Sequence, residues 1–299
     1  MRFSISIAFV LLIVLFHVFD TRAQSDDDEV ISVDSSIVVI NASVTDTGGK
    51  AVQGLKPDMF RILEDGVEQK IESFHAEDTP FAAVILLDTS GSMEQRVTLA
   101  RSAAIRFLDG IRAEDFVAVY KFDSKVEEVQ DFSNIGVLSD RVFDLKAYGM
   151  TVLNDAVMKA SIALSKRPEK RRAIVVLSDG ADNSSSASSD KALKAALSVN
   201  ATIYTVDMSA TDSHVPRAQN QGVLKKYAEK TGGRFVATPG GIAMRDAFKR
   251  IVEELGQQYT IAYQPANTKK DGKWRAIEVV VSRPNLTIRT RKGYNAPKK

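Results

Sequence analysis

Residues Phe81 to Met93 read Phe-Ala-Ala-Val-Ile-Leu-Leu-Asp-Thr-Ser-Gly-Ser-Met. A continuous apolar run of this length, closed by turn residues, is the signature of a strand buried on both faces. Just past its carboxyl end, Asp88, Ser90 and Ser92 place oxygen-bearing side chains at every second position. In open α/β sheets that edge is where ligands bind. Hard divalent cations take oxygen ligands, and Mg²⁺ keeps several of its waters. Alone, the same residues also make an ordinary polar turn, so the rest of the chain has to supply the remaining ligands.

The segments after Pro80 alternate between strand and helix patterns. Phe116–Phe122, Arg172–Asp179 and Ala201–Val206 read as strands, with Val126–Phe132 as an antiparallel partner of the first. Helical spacing of apolar residues runs through Glu94–Leu108, Val152–Leu164, Asp190–Val199, Gly222–Lys230 and Met244–Gln257, and Arg234–Ala237 reads as a short strand. Such alternation implies βαβ units around a mostly parallel sheet. The flanks differ. Residues 24–80, after a short acidic linker, read as a small β unit, with a hairpin from Arg61 to Ile71 turning at Asp65-Gly66. Residues 257–299 form a second β unit with strands at Tyr259–Tyr263, Trp274–Val281 and Leu286–Arg289. Small β units are marginal alone, so the two are expected to pair as one sheet or sandwich.

Met1-Arg2, the apolar run Ile5–Phe19 and Thr21-Arg22-Ala23 have the layout of a secretory signal peptide. The run falls short of the roughly 20 residues a spanning helix needs, which disfavours the alternative, an uncleaved membrane anchor. The expected mature chain starts at residue 24 and is secreted or periplasmic. There is no cysteine, which excludes disulfides, thiolate metal sites and cysteine nucleophiles. A net charge of +2 gives no global field to draw nucleic acid. The basic run Lys166–Arg172 reads as a solvated loop rather than a patch for an anionic partner, and Asn183–Asp190, rich in serine, reads as a surface loop.

Gly149-Met150-Thr151-Val152-Leu153-Asn154-Asp155 sets a hydroxyl just before a helix, and Ser178-Asp179-Gly180 ends a buried strand in a carboxylate as Asp88 does. The Ser90, Ser92 and Thr151 hydroxyls can ligate directly. Asp88 and Asp179 supply negative charge, partly through water and partly by orienting the hydroxyls. Asp155 reads as a capping or orienting group, and Asp123 and Asp182 as turn carboxylates. Asp88-Thr89-Ser90-Gly91-Ser92 resembles the Asp-x-Ser-x-Ser motif of von Willebrand factor type A domains, and the Thr151 and Asp179 segments resemble that family's second and third motifs. The resemblance spans residues 81–256. It implies a doubly wound, Rossmann-like fold and an adhesion site for Mg²⁺ or Mn²⁺, completed by a carboxylate from a protein partner. Met150 stands where a second glycine often precedes the threonine. The flanks, through Gly54-Leu55-Lys56-Pro57-Asp58-Met59-Phe60 and Arg291-Lys292-Gly293-Tyr294, resemble the secreted bacterial VWFA-related proteins of Acidobacteria.

Other functions fit less well. Asp-Thr-Ser-Gly is superficially similar to an aspartic protease loop, but that chemistry needs two such loops on all-β halves. No Gly-x-Ser-x-Gly elbow or P-loop occurs, and His214 sits in a polar stretch more suited to a loop than to a general base. The expected role is therefore protein binding without catalysis. The alternative is an envelope assembly module whose β units bind while the metal only steadies loops.

Overall fold

The computed structural model describes residues 37–76, 79–209, 217–237 and 241–298. The stretch expected to be a signal peptide, the acidic linker and His214 lie outside them. The first described strands are β1 (Val38–Thr45), β2 (Phe60–Glu64), β3 (Val67–Gln69) and β4 (Ile71–Ala76). Asp65 and Gly66 both have positive φ, 49° and 81°, the requirement of a type I′ turn between β2 and β3. Ile71 does not extend that hairpin. The chain switches sheets at Lys70, and β4 pairs elsewhere, with β11 (Tyr259–Tyr263).

The central layer runs β5 (Phe81–Asp88), α1 (Val97–Leu108), β6 (Phe116–Phe122), β7 (Val126–Ser133), α2 (Leu153–Ser165), β8 (Arg171–Ser178), α3 (Ser189–Ser198), β9 (Ala201–Asp207), α4 (Arg217–Thr231), β10 (Phe235–Ala237) and α5 (Gly241–Gly256). Its sheet has the order β10-β9-β8-β5-β6-β7. All neighbours are parallel except β6 and β7. Every residue of β5 is buried. Phe81, Ala83, Ile85 and Leu87 pack under α1 and α5. Ala82, Val84 and Leu86 face α2, α3 and α4. This two-sided cover is why β5 carries no polar residue until Asp88. The helix after the Ser90–Ser92 turn starts at Val97, later than its apolar spacing suggests, because Gly91–Met93 forms a separate short 3-10 turn.

The two ends of the chain meet in a sandwich. One sheet has the order β13-β1-β11-β4 and the other β14-β12-β2-β3, with β12 at Trp274–Val281, β13 at Thr287–Arg289 and β14 at Gly293–Asn295. All these pairings are antiparallel. Inward residues of both sheets, among them Ile40, Val44, Ile62, Ile261, Ile277 and Val279, form one apolar core. Phe60 from one sheet stacks at 5.1 Å on both Phe74 and Tyr259 from the other. The fold is thus α/β and doubly wound, with a flanking β-sandwich built from both ends. Among the described residues no helix is long and apolar enough to cross a membrane.

Arg171, the first residue of β8, is fully buried where the two layers meet. Its guanidinium donates to the carbonyls of Thr79 (3.4 Å), Gly256 (3.2 Å) and Gln258, and to Thr260 Oγ1 at 3.1 Å. Thr260 Oγ1 in turn donates to Asn41 Oδ1 on β1 at 3.1 Å. The basic run is therefore a solvated loop only at Lys166, Pro168 and Lys170, which are exposed. Arg171 is a joint, Arg172 ties down the carbonyls of Arg167, Glu169 and Val199, and Arg167 covers the rings of Phe116 and Phe132. Removing the Arg171 guanidinium takes a donor from the Gly256 and Gln258 carbonyls and from Thr260 Oγ1, while Thr79 O keeps Arg112, and costs about 3 kcal/mol. Arg171→Ala is expected to lower the urea midpoint accordingly, and Arg171→Lys to recover only part of the loss. A wild-type midpoint in Arg171→Ala contradicts the role of this joint.

Candidate metal centre

Asp88 closes β5 and is completely buried. Its Oδ1 accepts the backbone N–H of Ser90 at 2.9 Å, which folds the chain back over the strand end. Its Oδ2 accepts from Ser178 Oγ at 2.5 Å, across the β5–β8 pair. Ser178 Oγ also accepts the N–H of Gly180 at 3.0 Å, so one hydroxyl links the first loop to the third. Among the described residues no basic side chain pairs with Asp88. Burial pushes its carboxyl up to about 7. The hydrogen bonds from Ser178 and Ser90 oppose that rise, and the negative charge of nearby Asp179 adds to it. A desolvated carboxylate without a cation is costly, and this one is positioned at the carboxyl edge of a parallel sheet.

Ser90 Oγ and Ser92 Oγ lie 3.2 Å apart. Adjacent ligands on an octahedral Mg²⁺ at ~2.1 Å are separated by about 3.0 Å, so the two hydroxyls have the spacing of neighbouring ligands. The second loop is fastened to the first by backbone alone. Tyr148 N donates to Thr89 O at 2.9 Å and Gly91 N to Gly149 O at 3.2 Å. Gly149 has φ of 81°, and a Cβ there would fall 2.6 Å from Ser124 Oγ. The close approach thus depends on Gly149, and Met150, half exposed beside it, donates its backbone N–H to the same Ser124 Oγ at 3.0 Å.

Thr151 is buried and held by the third loop. Its N–H donates to Asn183 Oδ1 at 2.8 Å, and its carbonyl accepts from the N–H groups of Asn183 and Ser184. Asp182 accepts from Asn154 N at 2.7 Å and from Ser185, and Asp155 accepts from the N–H groups of Ser186 and Ala187, each at 2.9 Å. Both carboxylates are used in fastening the start of α2 to this loop. Asp179 is partly exposed, and its Oδ1 accepts only from Ala181 N at 3.0 Å. Asp123 accepts from Thr89 Oγ1 and Lys121 Nζ, and so belongs to the scaffold. Sequence reasoning missed Ser178 and Asn183. Ser178 stands at the last position of a buried strand, where a hydroxyl is out of keeping, and that was the available signal. Asn183 was hidden in a loop that reads as surface filler.

The side chains at Ser90, Ser92, Thr151, Asp88 and Asp179 offer only oxygens, and among the described residues no group of three or more His, Cys, Asp or Glu could hold a metal. Any ion here would rest mainly on hydroxyls, with Asp88 and Asp179 as the charge beneath them.

Residues 83–181 match the family model of the von Willebrand factor type A domain. Over 118 residues the chain is 29% identical to inter-alpha-trypsin inhibitor heavy chain H3 of Bos taurus, a match that takes in 35% of this chain and 13% of that protein. Among solved structures it is similar to the PilB minor pilin of Streptococcus sanguinis, at TM-score 0.48 and 15% identity over 60% of this chain and 62% of that one. It is also similar to a von Willebrand factor type A protein of Catenulispora acidiphila, at TM-score 0.48 and 12% identity over 88% and 75% of the two chains. The stretch matched to the von Willebrand factor type A domain model takes in Asp88, Ser90, Ser92, Thr151 and Asp179, the residues of this candidate site.

Proposed function

We propose that the chain is a divalent-metal-dependent protein-binding module that acts outside the cytoplasm and performs no catalysis. Ser90, Ser92 and Thr151 would hold Mg²⁺ or Mn²⁺ directly, and Asp88 and Asp179 would supply charge behind them. The observation that carries this reading is Asp88, a buried carboxylate with no cationic partner beneath two hydroxyls at ligand spacing. Neutral hydroxyl donors leave most of the ion's charge uncompensated. The ion then favours one further anionic ligand, which an Asp or Glu of a protein partner can provide. Tyr148 and Met150 are 57% and 49% exposed beside the site, an apolar rim of the kind that interface cores use. The extracellular setting rests on the leader-like sequence of residues 1–23.

Mg²⁺ is expected to raise the melting temperature of the purified chain, because a ligand that binds only the folded state stabilises it. Ser90→Ala and Thr151→Ala are expected to remove that rise while retaining the apo melting temperature. A pull-down from an envelope fraction, run with Mg²⁺ and with EDTA, tests the partner. Equal capture in the two arms sinks the metal-dependent account.

The raised Asp88 carboxyl also sets a pH dependence. With a folded value about 7 and an unfolded one near ~3.9, the folded state binds the extra proton. The stability from this group is therefore fully present below pH ~4 and is lost as pH rises through about 7. Metal-free protein should weaken over that window, and Asp88→Asn should flatten the profile. Mg²⁺ favours the ionised form, so its stabilising effect should grow between pH 5 and pH 8. Denaturation curves across this range, with and without Mg²⁺, check both signs; an Mg²⁺ effect that shrinks as pH rises contradicts the assignment.

A further inference from the structure

A second concave site lies far from Asp88 in the chain's connectivity, where α3 meets the sandwich beside the start of β1 and the loop before β12. It is a cavity of about 410 Å³, within the roughly 300–1,000 Å³ usual for small-molecule sites. Lys194, Lys269 and Lys298 line it and are exposed. None of the three has an ion pair with another described residue. Among the described residues no Asp or Glu lines the cavity. Asp271, next along the chain, is engaged by Arg275 at 3.1 Å and by the backbone N–H of Lys273.

Arg291 forms part of the wall and is only 8% exposed. Its Nη1 donates to Asn200 Oδ1 at 2.6 Å, and its guanidinium lies 5.4 Å from the ring centroid of Tyr294. Its Nε is buried with no hydrogen-bond partner. Burial pulls the guanidinium down to about 10, against the opposing pull of Tyr263, Tyr294 and Glu64. The nearby Glu64 carboxylate accepts from the hydroxyls of those two tyrosines instead, at 2.7 and 2.9 Å. A buried guanidinium in the wall of a lysine-lined cavity favours an anionic ligand.

We propose that this cavity binds a phosphate group carried by a small molecule, with Arg291 as the buried anchor and Lys194, Lys269 and Lys298 neutralising the charge. A phosphate monoester carries about −1.5 to −2 charge and three strong acceptor oxygens, which suits one guanidinium and three ammonium groups better than a single carboxylate does. Leu197 and Tyr294 in the same wall offer an apolar surface to the rest of the ligand. The site is independent of the metal centre.

Calorimetric titration of the purified chain in EDTA, at constant ionic strength, tests this with glucose 6-phosphate, inorganic phosphate and glucuronate. Saturable binding of glucose 6-phosphate is expected, weakened about tenfold or more by Lys194→Ala with Lys269→Ala and unchanged by Asp88→Ala. The paired lysine substitutions are exposed and should not disturb folding; Arg291→Lys, checked by circular dichroism, tests the anchor. Equal affinity for inorganic phosphate means the carrier makes no contact and overturns the small-molecule reading. Glucuronate binding as tightly as glucose 6-phosphate, absence of saturable binding, or wild-type affinity in the double lysine variant overturns the proposal.

Discussion

A fully buried guanidinium stands where the two layers of this molecule are joined. Arg171 begins the strand that runs beside β5, and its donors reach carbonyls on both sides of the sandwich junction. Beside it, Gln258 Nε2 donates to Ser43 Oγ on β1 and to the hydroxyl of Tyr204 on β9, and that hydroxyl donates to Glu254 on α5. Polar groups this deep are tolerable only when fully paired. The network therefore fixes one arrangement of the sandwich on the sheet.

The opposite end of β8 shows how a sheet makes a site from neutral parts. Parallel pairing in register sets the ends of β5 and β8 side by side, so a serine on one strand can reach a carboxylate on the other. The loops that follow are bound by backbone hydrogen bonds and by the side chains of Asn183, Asp182 and Asp155. None of these needs to touch an ion to matter. They pin the hydroxyls so that little conformational entropy remains to be lost when a ligand arrives.

Much of this was readable from residues alone, and the pattern of what was not is instructive. The buried strands announced themselves because burial on both faces demands continuous apolar runs, and the Asp65-Gly66 turn because only small or amide-like residues tolerate positive φ. Arg171 did not, since charge in a sequence says nothing of how many carbonyls will surround it. The sheet switch at Lys70 was also hidden. β3 and β4 are nearly continuous, and which neighbour a strand chooses is decided by residues almost two hundred positions away. Asp155 could be read as an orienting group from its neighbourhood, but Asp182 read only as a turn carboxylate and the loop both of them fasten could not be read, because hydrogen-bond partners across a loop leave no periodic trace.

The pairing of β4 with β11 has a mechanical corollary. The chain leaves the sandwich for the α/β layer and returns to it on adjacent antiparallel strands, with His75 opposite Thr260. Tension applied between Ile37 and Lys298 is therefore borne first by the sandwich ladders, and the α/β layer hangs from them as a closed loop under no load. The loops around Asp88 would keep their unstrained geometry until β4 and β11 unzip. A contact made at that surface would be insulated from pulling along the chain up to the force at which the sandwich yields.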